Sequence, residues 1–301
     1  MRATDGEKAL AADIWDHFLG ERFDKARNLL DQALRESEHL RFQRIHARFL
    51  LFEGQEQAAA EALKPIIEKA WAPGSWELAI AGTGASRARI LPDQKILFFP
   101  IPKCGSTSVM NVLKLILGEE NRGEGVHDED AKKSPVKLAQ VPTKFAGYFS
   151  AALVRTPIDR IWSFYHGNIA ARDQLAKHHD GADHFYGMST RPDWDTFIAD
   201  LPRYRQVFIT ARNHTEPVTS FLGTDASLFS WVGGLSDLPE LVGKLSDHTG
   251  KELPLLSEMK SPSGQKKSVP ELPADLQPLY AADFDAFGRY FYSLDVLARP
   301  C

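Results

Sequence analysis

Residues 95–117 constrain this chain more than any other segment. The run KILFFPI at 95–101 is short and apolar with aromatic and β-branched members, which predicts a buried strand. Residues 106–117 continue with helical periodicity and stop at Gly118, a residue suited to the position just past a helix end. A strand running through a tight loop into a helix opens an α/β unit. A second unit is predicted at 149–154, followed by Arg155 and a helix from Pro157, and a third strand at 206–210. Residues 93–301 are therefore expected to form one α/β domain around a mostly parallel central sheet.

Before this domain the pattern differs in kind. From Glu7 to about Trp71 apolar residues recur at helical spacing, and Gly20, Glu38/His39 and Gly54 fall at the breaks, so four helices in two hairpins are expected. Gly20 to Gly54, Ala26 to Ala60 and Leu29 to Leu63 are each 34 residues apart, the tetratricopeptide period. Residues 1–75 thus resemble a degenerate tetratricopeptide-like all-α region, expected to bury one face against a neighbour. Docking on the α/β domain, a homodimer or a protein partner would use these helices. The Pro- and Gly-containing stretch 76–92 reads as a linker. Residues 172–191, rich in His, Asp and Gly, read as a loop or lid, as does 260–269.

A net charge of −4 on 301 residues gives no general reason to bind nucleic acid or an anionic membrane, so any anionic ligand must be gripped locally. The N-terminus carries acidic residues where a secretory signal needs an apolar core, and no apolar run is long enough to span a bilayer. A cytoplasmic protein is expected. Its two cysteines, Cys104 and Cys301, supply neither a disulfide framework nor the ligand set of a structural zinc.

The loop Pro102-Lys103-Cys104-Gly105-Ser106-Thr107-Ser108 suits an anion. Gly105 lets the backbone turn closely, and the N–H groups at the helix start sit at the positive end of its dipole. Ser106 or Thr107 could act only as a helix cap, but a cation directly before a helix N-terminus is unfavourable unless an anion lies between them, and Lys103 is such a cation. A Walker A loop places Lys after its last Gly, whereas Lys103 precedes Gly105. A cysteine-based phosphatase loop would close on an Arg six residues after Cys104, where Met110 stands.

The segment ALVRTPIDRIWS offers a second anion site. Arg155 ends a strand, Thr156 is a good N-cap, Pro157 is favoured at the first helical position, and Asp159 occupies the reciprocal capping position. Ser163 lies two turns into the helix, where its hydroxyl can stand beside a strand-end guanidinium. Pairing with Asp159 is the structural alternative for Arg155, and Arg160 is expected to form a structural ion pair.

Together IPKCGSTSV and LVRTPIDRIWSFY resemble the 5′-phosphosulfate and 3′-phosphate motifs of sulfotransferases that use PAPS (3′-phosphoadenosine 5′-phosphosulfate), particularly their carbohydrate-modifying, Golgi-type branch. NHTEPVTSFLG and LYAADFDAFG are similar to two more diffuse elements of that family, so the resemblance covers about 95–290. Thr156 stands where the family usually has Asp or Asn, and Val218 where Gln is common. The resemblance implies a three-layer, P-loop-like α/β fold, with Lys103 bridging to the leaving phosphate oxygen. Cys104, Gly105, Ser106, Thr107 and Ser108 would hold the 5′-phosphate, and Arg155 with Ser163 the 3′-phosphate. It further implies PAP as product, no obligatory metal, and a hydroxyl acceptor such as a glycan or glycolipid. His127, in GVHDED, would be the catalytic base; His166, Asp128 and Glu129 are the replacements. For Lys266 and Lys267 the alternatives are closing over the 3′-phosphate and simple solvation. A nucleotide kinase with a variant phosphate loop and a non-catalytic nucleotide-binding scaffold are the competing functions.

Overall fold

A computed structural model describes residues 3–69, 84–119, 133–254 and 270–291. The chain opens on four helices, α1 (Asp5–Leu19), α2 (Phe23–Glu36), α3 (Leu40–Phe52) and α4 (Glu56–Lys69). Strands β1 (Ala85–Leu91) and β2 (Ile96–Phe99) lead to helix α5 (Ser106–Ile116), strands β3 (Lys133–Lys137) and β4 (Phe149–Val154), and helix α6 (Pro157–Phe164). A π-helical turn (Tyr165–Ala170), α7 (Gln174–Lys177), a hairpin of β5 (His184–Phe185) and β6 (Met188–Ser189), α8 (Trp194–Ala199), α9 (Leu201–Val207) and α10 (Ile209–Thr215) come next. Helix α11 (Thr219–Leu222), β7 (Trp231–Gly234), α12 (Leu238–Thr249) and α13 (Gln277–Phe291) complete the described chain. Two compact units emerge. One joins α1–α4 with residues 165–213; the other contains the sheet and its helices.

The four N-terminal helices begin and end where the sequence predicts. Thr4 and Glu7 form a reciprocal capping box before α1, Gly20 closes it, and His39 caps α3. These helices do not close a core by themselves. The ring of Phe18, 2% exposed, lies 5.1 Å from both Phe49 and Phe52, and Tyr186 of the β5–β6 turn packs edge-on to Phe52 at 4.5 Å. The Tyr186 hydroxyl donates to the Phe18 carbonyl at 3.0 Å. Arg48 of α3 donates to the carbonyls of Gln206 (3.0 Å) and Val207 (2.6 Å), satisfying the end of α9. Arg212 of α10, 3% exposed, forms a two-pronged bridge to Glu56 at 2.8 and 3.1 Å.

Acid is expected to loosen this unit. Burial beside His178 and Arg48 pushes the His179 imidazole, stacked on Phe185, down to about 4 from an ordinary value near 6.5, so its folded form favours the neutral ring. The hydrogen bonds from Arg212 hold Glu56 below its ordinary value. In both cases the folded pKa lies below the unfolded one, so the stabilisation is complete above the unfolded pKa and lost as pH falls through the folded value. Near-ultraviolet circular dichroism followed from pH 7 to 4 should show aromatic packing weakening progressively.

The second unit is built on a five-stranded sheet of order β3-β1-β2-β4-β7. β2, β4 and β7 pair in parallel, while β1 runs antiparallel to both β2 and β3. Four of the five strands therefore share one direction, the mostly parallel sheet expected from the sequence. Its core comes from the wholly buried β2, β4 from Ser150 onward, the apolar side of α5, and residues of α12 and α13.

Three expectations are corrected. The stretch 76–92, expected as a linker, contains β1: Arg87 and Arg89 break the apolar run, yet Ala88 and Leu91 are buried and the strand pairs with β2 through residues 92–95. Residues 206–210 are not a strand but the end of α9 and the start of α10. A short buried apolar run does not by itself separate the two. The third strand of the parallel set is instead β7, whose WVGG sequence carries little strand propensity. A Cβ on Gly234 would stand 2.5 Å from the Tyr290 carbonyl of α13, so that close approach requires glycine. Residues 172–191, expected as a loop or lid, hold α7 and the β5–β6 hairpin.

Candidate active site

β2 and β4 are adjacent and parallel, with Phe99 opposite Ala152. The loop leaving β2 and the loop leaving β4 therefore emerge at the same end of neighbouring strands, where α/β sheets bind ligands.

The β2 loop is shaped for close approach. Lys103 and Gly105 both have left-handed backbones, at φ +64° and +72°. Gly105 is the N-cap of α5, no side chain caps the helix start, and its first turn carries no acidic residue. No carboxylate of that first turn offsets the positive end of the helix dipole. A Cβ on Gly105 would meet Leu235 Cδ1, just past β7, at 2.8 Å, so a side chain there would force that neighbour aside. Ser106, Thr107 and Ser108 are all buried, and Lys103 is partly exposed.

In the β4 loop the predicted cap is present in altered form. Thr156 Oγ1 accepts from the Asp159 N–H at 3.1 Å and donates to Asp159 Oδ2 at 2.7 Å, so the carboxylate binds the hydroxyl rather than the backbone. Arg155 reaches Asp159 only at 3.8 Å and keeps 24% of its side chain exposed. That loose pairing leaves its guanidinium able to bind an anion. Ser163 lies half-buried on α6.

Arg160 is not in the ion pair expected for it. It is 1% exposed and donates to three carbonyls, those of Pro102 (3.2 Å), Glu216 (2.7 Å) and His214 (3.4 Å). Cys104 reports the same convergence electrically. Burial pushes its thiol up to about 11, while Arg160 and Arg155 both pull it down, so both lie close enough to act on it. A thiol this weakly acidic is no nucleophile at neutral pH, which agrees with setting aside a phosphatase.

The diffuse C-terminal motifs meet each other. Asp283 of α13 is fully buried and accepts from the N–H groups of Val218 and Thr219 and from the Thr219 hydroxyl, each at 2.8 Å. Tyr280 donates to the Thr215 carbonyl at 2.6 Å. Asp283→Ala would leave these buried donors unsatisfied. It should cost about 3 kcal/mol of stability, read as a lower denaturant midpoint.

A sequence model of the sulfotransferase family matches residues 86–290. The chain belongs to the sulfotransferase family. No curated protein and no solved structure matched it. The matched stretch of this sulfotransferase begins inside β1 and spans both strand-end loops and α13. His127, Asp128 and Glu129 lie outside the described residues, as do Lys266 and Lys267. His166 falls in the π-helical turn, its ring edge-on to Tyr165 at 5.0 Å. Among the described residues no His, Cys, Asp and Glu side chains cluster as a metal site, and no helix of the sulfotransferase is long and apolar enough to cross a membrane. The sequence singled out Arg160 only as an ion-pairing residue and held Asp283 only inside the LYAADFDAFG likeness, so the partners of both were not foreseen.

Proposed function

We propose that this sulfotransferase moves a sulfuryl group from PAPS to a hydroxyl of a carbohydrate or glycolipid-like acceptor by in-line displacement, in the cytosol. The reading rests on one observation: the loops carrying Lys103 and Arg155 leave the same end of adjacent parallel strands. A ligand bearing phosphates at both ends of one nucleoside suits two such loops.

The residues fit PAPS in kind. The first offers an uncapped helix start behind a left-handed glycine, with an ammonium beside it; the second offers a loosely paired guanidinium. When bound, PAPS supplies an activated sulfuryl group on a phosphate leaving group. The α5 N-terminus and the hydroxyls of Ser106, Thr107 and Ser108 hold the 5′-phosphate, while Cys104 lines the loop beneath it. Lys103 carries positive charge to the oxygen on which negative charge grows as the sulfur–oxygen bond breaks. Arg155 and Ser163 hold the 3′-phosphate and fix the reacting end by fixing the far end. His127 is the proposed base for the acceptor hydroxyl, with His166, Asp128 or Glu129 in its place if it fails. A P-loop-like three-layer arrangement, and a second copy or a protein partner on the tetratricopeptide-like helices, belong to the same reading.

Calorimetry with PAP, and radiolabel transfer from PAPS to a panel of glycan and glycolipid acceptors, test it. Micromolar PAP binding with acceptor-dependent transfer is the expected result. A protein that ignores PAP but is stabilised by magnesium ATP would be a nucleotide kinase, and the proposal would be withdrawn.

A further inference from the structure

The three-way grip of Arg160 lies behind the phosphate loop, where it touches none of the groups assigned to the donor. Its Nε holds the Pro102 carbonyl at 3.2 Å, and this carbonyl belongs to the peptide plane joining Pro102 to Lys103. Rotation about φ of Lys103 swings that plane relative to the rest of the residue. Lys103 sits at φ +64°, a region that ordinary side chains avoid and that persists only where its surroundings impose it.

The other two bonds tie the same guanidinium to the turn formed by His214 and Glu216. That turn is fixed in place. Tyr280 holds the Thr215 carbonyl between them, and Asp283 holds the next two N–H groups, at Val218 and Thr219, since Pro217 has none. On its own helix, Arg160 stands five residues past Arg155 and its main-chain N–H donates to the Thr156 carbonyl at 3.1 Å. Arg160 is thus bonded through its backbone to the end of the β4 loop, and through its buried side chain to the β2 loop and a turn braced by α13.

We propose that Arg160 is a positioning residue that sets the spacing between the two phosphate-binding loops and holds Lys103 in its left-handed conformation. This rests on the proposed reading of the loops as the two ends of a PAP site. A guanidinium is required because its planar fork reaches three carbonyls at fixed angles, which an ammonium on a flexible stem cannot reproduce. Burying a cation is costly without partners, and three carbonyl dipoles offset that cost while leaving the positive charge close to the loop.

The test compares three ligands by calorimetry: PAP, adenosine 3′-monophosphate and adenosine 5′-monophosphate. Two loops at the right separation make the bisphosphate bind far more tightly than either monophosphate, since the second contact becomes intramolecular. Wild type should show that advantage. In Arg160→Lys the advantage should shrink by about a hundredfold, the scale of loss from a misplacement near 1 Å, while each monophosphate keeps its wild-type affinity within a few-fold. A purely structural role would instead lower the melting temperature and leave the ratio intact in the folded protein, and that result overturns the proposal. Should Arg160→Lys not fold, Arg160→Met removes the buried charge at similar length and is read in the same way. If neither folds, Tyr280→Phe decides: it deletes one hydroxyl bracing the turn, and an unchanged ratio counts against the coupling. A wild type without any bisphosphate advantage would instead remove the PAP reading itself, so the two failures are distinct.

Discussion

Lys103→Gly is expected to slow sulfuryl transfer by about a hundred to a thousandfold without lowering the melting temperature. The two effects separate because Lys103 holds a backbone conformation that lysine adopts reluctantly, at φ +64°. Glycine relieves strain of about 1–3 kcal/mol, which offsets the conformational freedom it gives the unfolded chain. The lost ammonium affects the reaction instead. Charge on the leaving oxygen grows from bound PAPS to the transition state, so kcat should fall much more than affinity for PAPS weakens. Steady-state rates, PAPS binding without acceptor and a thermal melt on the same preparation check all three. A variant that melts early and keeps its kcat would show that Lys103 serves the fold rather than the chemistry.

Deleting residues 1–72 is expected to yield protein that aggregates rather than a smaller active enzyme. The deletion removes Phe18, Phe49 and Phe52 from the cluster containing Phe185 and Tyr186, opening a contiguous apolar face. It also strips Glu56 from Arg212, whose guanidinium is 3% exposed. Removing one partner of such a pair harms more than the pair itself contributes. The point substitution Glu56→Ala gives a graded version, with an expected loss of about 1–3 kcal/mol, toward the lower end because half of the Glu56 side chain meets solvent. Size-exclusion chromatography and melting curves read both. A soluble truncated protein with wild-type PAP affinity would show that the first four helices are an independent appendage.

Elements with strong local signals were legible in the sequence. α1–α4 fell between Gly20, the Glu38/His39 break and Gly54, and α6 started at Pro157 as its Thr156 cap required. β2 and β4 were legible because they read as short runs dominated by apolar residues, Ser150 being the one polar member of β4. β1 was not, since its arginines mimic a polar linker, and β7 was not, since Gly234 answers to Tyr290, some 56 residues further on in the sequence. The partnership of α1–α4 with residues 165–213 is carried by aromatic and arginine contacts between segments more than a hundred residues apart, which no local pattern encodes. At the site, the composition of both loops was visible, but the single residue that ties them together was read only as an ion-pairing residue of α6.

The buried thiol of the β2 loop has a practical consequence. Cys104 is 1% exposed and burial pushes its pKa up to about 11, so maleimides and mild oxidants should pass it by in the folded protein. In a Cys301→Ser background its alkylation rate becomes a built-in clock for local unfolding of that loop, and PAP at the proposed site should slow that clock.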